Sequence, residues 1–259
     1  MNTTSNEIPV SSVPFNKRWE TCEGKGVSIA LIDSGVDVSH PALKGKIAKL
    51  YESYKDDKKI SFRETDVGDS AGHGTACAGI ISSLAPQAEI TSIRVLGESG
   101  LGDGFAFLAG LDFAISQGFR VINLSLGTTK QQFVVPLRDL LDRAYQAGCV
   151  VVAAANNLPQ PSFPSVFSSS LIAVSKSTEQ DPLKFCFRFG HVIELVAPGV
   201  NVRTTWLNGG YKQLTGNSFA CPHIVGIIAR MLEADPNLTP FEVKSILYRI
   251  ANENRKEIV

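Results

Sequence analysis

Six short apolar runs recur along the chain, at residues 27–33, 89–96, 119–126, 149–155, 170–175 and 192–198, and helical patterns fall between them. Each run is rich in β-branched residues and bounded by turn signals, so each reads as a buried strand. Segments 103–118 and 134–148 carry apolar residues at helical spacing and stop at Gly118 and Gly148, glycine being a common helix stop. Segment 239–251 opens with Thr239, Pro240 and Glu242, which is a capping box with proline at the first helical position. Strand, helix, strand in succession predicts an α/β fold, a mostly parallel sheet with helices on both faces. No internal repeat, low-complexity tract or Pro/Gly-rich linker breaks the pattern. Residues 1–259 therefore read as one domain, with residues 1–20 as an N-terminal arm.

Composition removes several classes of function. Lys+Arg and Asp+Glu are both 25, so no charge excess points to nucleic acid or an anionic membrane surface. No apolar run approaches the roughly 18 residues that a membrane span needs. The five cysteines, Cys22, Cys77, Cys149, Cys186 and Cys221, are odd in number and form no Cys-x-x-Cys pair. Reduced thiols in a cytoplasmic protein fit that pattern better than a disulfide framework or a zinc site. The polar N-terminus shows no apolar core of a signal peptide, and no propeptide is seen.

Chemistry in a parallel sheet gathers at the carboxyl ends of its strands. Asp33 is the first polar residue after the run 27–33, and so falls at that edge; its alternative is a turn-capping role. His73 lies between Gly72 and Gly74 at the start of a small-residue helix, where glycines allow close approach. Ser218, in "GNSFACPH" (216–223), sits at or near a helix N-terminus. It is either an ordinary N-cap or a nucleophile placed where helix N–H groups meet a developing oxyanion.

The stretches "IDSGVDVSHP", "GHGTACAG", "INLSLG", "VVAAANN" and "GNSFACPHIVG", in that order, resemble the subtilisin-like serine peptidases, the subtilases. The resemblance spans roughly residues 8 to 251. It implies the subtilisin-like three-layer fold and a serine endopeptidase. Ser218 would attack the scissile carbonyl, His73 would accept and return the proton, and Asp33 would orient the imidazole. The oxyanion would be met by the Ser218 N–H and by Asn157, with Asn217 as a further donor. The segments Ser99, Gly100, Leu101, Gly102 and Ser125, Leu126, Gly127 would hold an extended peptide or protein substrate through main-chain hydrogen bonds. No cofactor is implied.

Four departures qualify the resemblance. Asn217 stands where the family usually has Thr, whose hydroxyl often helps the oxyanion hole; the Asn217 amide either donates there instead or points away. Asn156 stands where the family usually has Gly, which narrows the specificity pocket or makes it polar; Ser162 is expected near that pocket's floor. The segment "GIISSLAPQAEI" lacks the family's calcium-loop insertion and Ala42 replaces a ligand, so no calcium is expected at that position, given its need for about six to eight oxygens. The chain also starts close to the first strand, which suits an intracellular enzyme with restricted targets, such as one processing a precursor peptide.

Other features have plain readings. Cys77, four after His73, and Cys221, three after Ser218, share helix faces with those residues and read as buried core, with a modifiable thiol beside the site as the sharper alternative. His40 reads as a turn residue, His223 as a packed helix residue and His191 as surface loop. Trp206 and segment 54–66 read as exposed loop. An aspartic peptidase would need a second Asp-Ser/Thr-Gly, and an α/β-hydrolase would need its Asp and His after the serine. The chain has neither. A peptide-binding module without catalysis and a transpeptidase or macrocyclase remain as alternatives.

Overall fold

Along β1 (Ser28–Asp33) the side chains alternate between two cores: Ile29 and Leu31 join one cluster, and Ala30 and Ile32 join another on the opposite face. That two-sided burial is what a central strand of a covered parallel sheet requires. The structure, a computed structural model, describes residues 17–57 and 59–256. Most of the predicted N-terminal arm, residues 1–16, lies outside the described residues; residues Lys17–Thr21 form a short 3-10 helix.

The strands after β1 are β2 (Ile47–Asp56), β3 (Lys59–Glu64), β4 (Glu89–Arg94), β5 (Val121–Leu124), β6 (Val150–Ala154), β7 (Ile172–Ser177), β8 (Cys186–Phe187) and β9 (Leu195–Pro198). They form one nine-stranded sheet in the order β3-β2-β4-β1-β5-β6-β7-β9-β8. All neighbours pair in parallel except the edge pairs β2–β3 and β8–β9. A separate antiparallel hairpin joins β10 (Val202–Thr205) to β11 (Tyr211–Leu214). All six predicted strands are present, shorter by one to three residues at most ends.

The helices are α1 (His73–Leu84), α2 (Gly104–Ser116), α3 (Val134–Gln146), α4 (Asn217–Ala234) and α5 (Pro240–Lys256). Residues of α1, α4 and α5 form the core on one face with Ile29, Leu31 and Val152. Residues of α2 and α3 form the other with Ala30, Ile32 and Val151. The capping box at α5 is made: Glu242 Oε2 accepts from the Thr239 N–H at 2.8 Å, and Thr239 Oγ1 accepts from the Glu242 N–H at 3.3 Å. No helix among the described residues is long and apolar enough to cross a membrane.

Two expectations need correction. Segment 54–66 is no exposed loop: it is mostly the antiparallel edge hairpin of β2 and β3, with Ser53 facing Phe62 and Tyr51 facing Glu64. Its Ile60 and Phe62 pack on the α2 side of the sheet, while its charges decorate an open edge, as edge strands require. Trp206 is half-buried at the end of β10, packed with Ile80 and Phe219, and Lys212 Nζ lies 3.9 Å over its ring. His40, His191 and His223 follow their readings. His40 sits at the start of a 3-10 turn, His191 is exposed, and His223 is buried in α4.

Candidate active site

Three sheet and helix ends converge on one groove. β1 ends at Asp33, α1 begins at His73, and α4 begins at Asn217, one residue before Ser218. Asp33 is fully buried, and its Oδ1 accepts from the Ser34 N–H at 2.8 Å and from His73 Nδ1 at 2.8 Å. The other carboxylate oxygen, Oδ2, is buried without a hydrogen-bond partner among the described residues. Burial of the imidazole opposes its charged form, yet the Asp33 carboxylate and its hydrogen bond outweigh that and raise the His73 pKa above the ordinary 6.5. Asp69 adds to the same direction.

The glycines beside His73 have one steric reason each. A Cβ on Gly74 would lie 2.1 Å from the Gly35 carbonyl oxygen, and one on Gly72, whose φ is +85°, would lie 2.5 Å from the Trp206 ring. Only bare backbone lets the start of α1 approach both β1 and the β10–β11 hairpin. Asp69 then fixes this turn. Its carboxylate accepts from Ser34 Oγ, from the N–H groups of Ala71, Gly72 and Thr75, and from Thr75 Oγ1, at 2.7–2.9 Å. Sequence reasoning passed over Asp69. Its one local signal is Thr75 six residues on, and its importance lies in donors drawn together by folding.

Ser218 is not the N-cap of α4. The cap position is Gly216, and Ser218 is the second helical residue, where a helix leaves its N–H without an intrahelical partner. Pro222, four residues on, lies inside the same helix and has no N–H to give to the Ser218 carbonyl. Two side chains take its place: Ser125 Oγ donates to that carbonyl at 2.8 Å and Cys77 Sγ at 3.5 Å. Asn123 Nδ2 donates to Ser125 Oγ at 3.0 Å, so the end of β5 is tied to the start of α4. The His73 ring lies 5.5 Å from that of Phe219, the neighbour of Ser218.

The groove is lined by His73, Ser218 and Asn157, and by both predicted substrate segments, Ser99, Gly100, Leu101, Gly102 and Ser125, Leu126, Gly127. Beneath the second segment opens a side cavity of about 400 Å³, lined in part by Asn156, Asn157, Ser162 and Ser218. Ser162 is buried. Asn157 Oδ1 accepts from the Asn217 N–H at 2.9 Å, which sets the orientation of the Asn157 amide. Asn156 Oδ1 accepts from the Leu158 N–H at 3.1 Å.

Asn217 departs from its expected place as an oxyanion donor. Its side chain is buried, its Nδ2 donates to the carbonyls of Ala155 and Asn156 at 3.2 and 2.8 Å, and its Oδ1 accepts from the Lys176 N–H at 2.9 Å. Three backbone groups at the ends of β6 and β7 thus take up the amide, for buried polar backbone must be paired.

Cys77 and Cys221 are fully buried beside the site, and burial pushes the Cys221 thiol up to about 12 and that of Cys77 well above the ordinary value. Asp33, His73 and Cys77 are the one trio among the described residues with ligand atoms within 4.8 Å of one another. Asp33 and His73 spend theirs on each other, and a protonated thiol is a poor ligand. Of the five cysteines only Cys186 is exposed, and none is paired. Thiol titration of the native protein should therefore read one fast-reacting group, with the other four appearing only on denaturation; rapid loss of more than one in native buffer would contradict this burial.

Comparison with known proteins gives one consistent answer. A family model described as "Subtilase family" matches residues 24–258. Thermitase of Thermoactinomyces vulgaris is 35% identical, over 86% of this chain and 81% of its own length. The minor extracellular protease Epr of Bacillus subtilis (strain 168) is 34% identical over 95% of this chain, which spans only 37% of that relative. Among solved structures, a cold adapted subtilisin-like serine proteinase superposes with a TM-score of 0.73 at 28% identity, covering 91% of this chain and 86% of that one.

Proposed function

The chain belongs to the subtilase family and is a serine-type endopeptidase, and from that premise we propose that Ser218, His73 and Asp33 form its catalytic triad. The 2.8 Å contact between Asp33 and His73 Nδ1 carries this reading. It leaves Nε2 as the basic nitrogen, and His73 and Ser218 line the same groove. Ser218 Oγ attacks the scissile carbonyl as His73 takes its proton. The leaving amine receives that proton, and water then hydrolyses the acyl-enzyme. The Ser218 N–H and the Asn157 amide meet the oxyanion.

Asn157→Ala is expected to lower kcat about 10²–10³-fold with KM nearly unchanged, the size known for the equivalent donor in a subtilisin and not one obtained from this geometry. A variant that loses affinity and keeps kcat would move Asn157 to substrate binding alone. Peptide hydrolysis is tested against acyl transfer by running the reaction in ¹⁸O-water. Linear products with heavy oxygen in each new carboxyl support hydrolysis. A product lighter than the hydrolysed peptide by one water would favour the macrocyclase reading.

The unpaired cysteines, four of them buried, support a cytoplasmic location, although one relative is named extracellular. Cell fractionation checks it: the protein should remain with the cytosol, and recovery from the medium of intact cells would refute it.

A further inference from the structure

Of the residues lining the cavity beside Ser218, one alone is charged, Lys130. Every other lining residue is neutral, with the hydroxyls of Thr128 and Ser162 and the amides of Asn156 and Gln160 among them. On this basis, and resting on the triad reading above, we propose that Lys130 selects substrates with an acidic residue, Glu or Asp, on the acyl side of the scissile bond.

The cavity's place in the reaction follows from which residues it touches. It is lined by Ser218 and Asn157 but not by His73, whereas the groove is lined by all three. His73 must deliver a proton to the leaving amine, so the leaving side lies toward His73. The cavity on the other flank of Ser218 takes the side chain of the residue whose carbonyl is attacked.

Lys130 is held there by its backbone. Thr128 and Phe163 exchange two main-chain hydrogen bonds of 2.8 and 2.7 Å, Thr128 Oγ1 accepts from the Lys130 N–H at 3.2 Å, and Lys130 is the N-cap of the 3-10 turn Gln131–Phe133. Its ammonium carries no hydrogen bond or ion pair among the described residues. No carboxylate lines the cavity; Lys130 also borders the groove, where Glu98 and Asp103 lie, and it forms no ion pair with either among the described residues. A carboxylate entering the cavity from the substrate therefore meets a cation that is in no ion pair, with hydroxyl and amide donors around it. A substrate carrying Lys or Arg meets repulsion instead. Such a filter suits an enzyme with restricted targets.

Because Lys130 is solvent-exposed, the pair formed is screened, and the expected preference is modest, about 5-fold in kcat/KM for Glu over the isosteric Gln. The experiment uses peptide amides identical except for Glu, Gln or Lys at the acyl-side position. Wild type should cleave in the order Glu, Gln, Lys, with the Glu-to-Gln ratio falling as salt is added. Lys130→Glu should invert the order, and Lys130→Met should bring the Glu-to-Gln ratio to about one. The same peptides are titrated against Ser218→Ala, which binds without turnover. A Glu-to-Gln ratio of one in both cleavage and binding overturns the proposal, as does an order unchanged by Lys130→Glu. Failure of the triad reading is distinguishable: no peptide would be cleaved and no serine-directed probe would react, while the binding ratio would still report on Lys130.

Discussion

Ser218→Ala is expected to abolish turnover: kcat should fall by on the order of 10⁶, the size known from subtilisin itself when its nucleophile is removed and not one derived from this geometry. The loss is that large because the remaining groups work as a unit. His73 and Asp33 have no proton to move without the hydroxyl, and only the oxyanion donors and substrate binding continue to act. Ser218 is half-buried in the first turn of α4, and alanine is a good helix former, so the fold should be intact. A peptide assay with an unfolding curve alongside checks this. Residual activity within tenfold of wild type would show that another group attacks.

Asp33→Asn is the second large effect, on the order of 10⁴ in kcat, again the scale known for this triad position in other serine peptidases. An amide NH₂ facing His73 Nδ1 would favour the wrong tautomer. The pH dependence gives an independent reading. In the proposed triad activity requires neutral His73, whose pKa is raised above 6.5 by Asp33 against the opposing effect of burial. The wild-type rate should therefore climb as pH rises through a value above 6.5, with little activity one unit below it. With the carboxylate charge gone, burial prevails and the limb of any residual activity should move to lower pH. A limb that stays in place would mean that the titrating group is not His73.

The fold was legible where strands are buried on both faces. The runs containing Ile29–Leu31 and Val150–Val152 stand out because the sheet's two cores demand unbroken apolar sequence. The β2–β3 hairpin was not, because an edge mixes charges such as Lys55 and Arg63 with a few half-buried residues, and that reads as loop. Within the site, Asp33, His73 and Ser218 were visible as three local motifs. Asp69 was invisible because its five donors come from Ser34 and from the turn at residues 71–75. Which of its two readings Asn217 takes was not legible, for a related reason. Its position in the nucleophile motif suggested chemistry, while the unpaired backbone at residues 155, 156 and 176 determined where its amide went. Motifs report which residues are near the reaction; folding decides which atoms face it.

The most direct test of the triad is reaction with a fluorophosphonate probe, which labels only an activated serine, in wild type beside Ser218→Ala and His73→Ala. Stoichiometric labelling of wild type, mapped to Ser218, and none of either variant is the expected result. Absence of labelling in folded wild type, or labelling that survives in His73→Ala at the same rate, would contradict the triad.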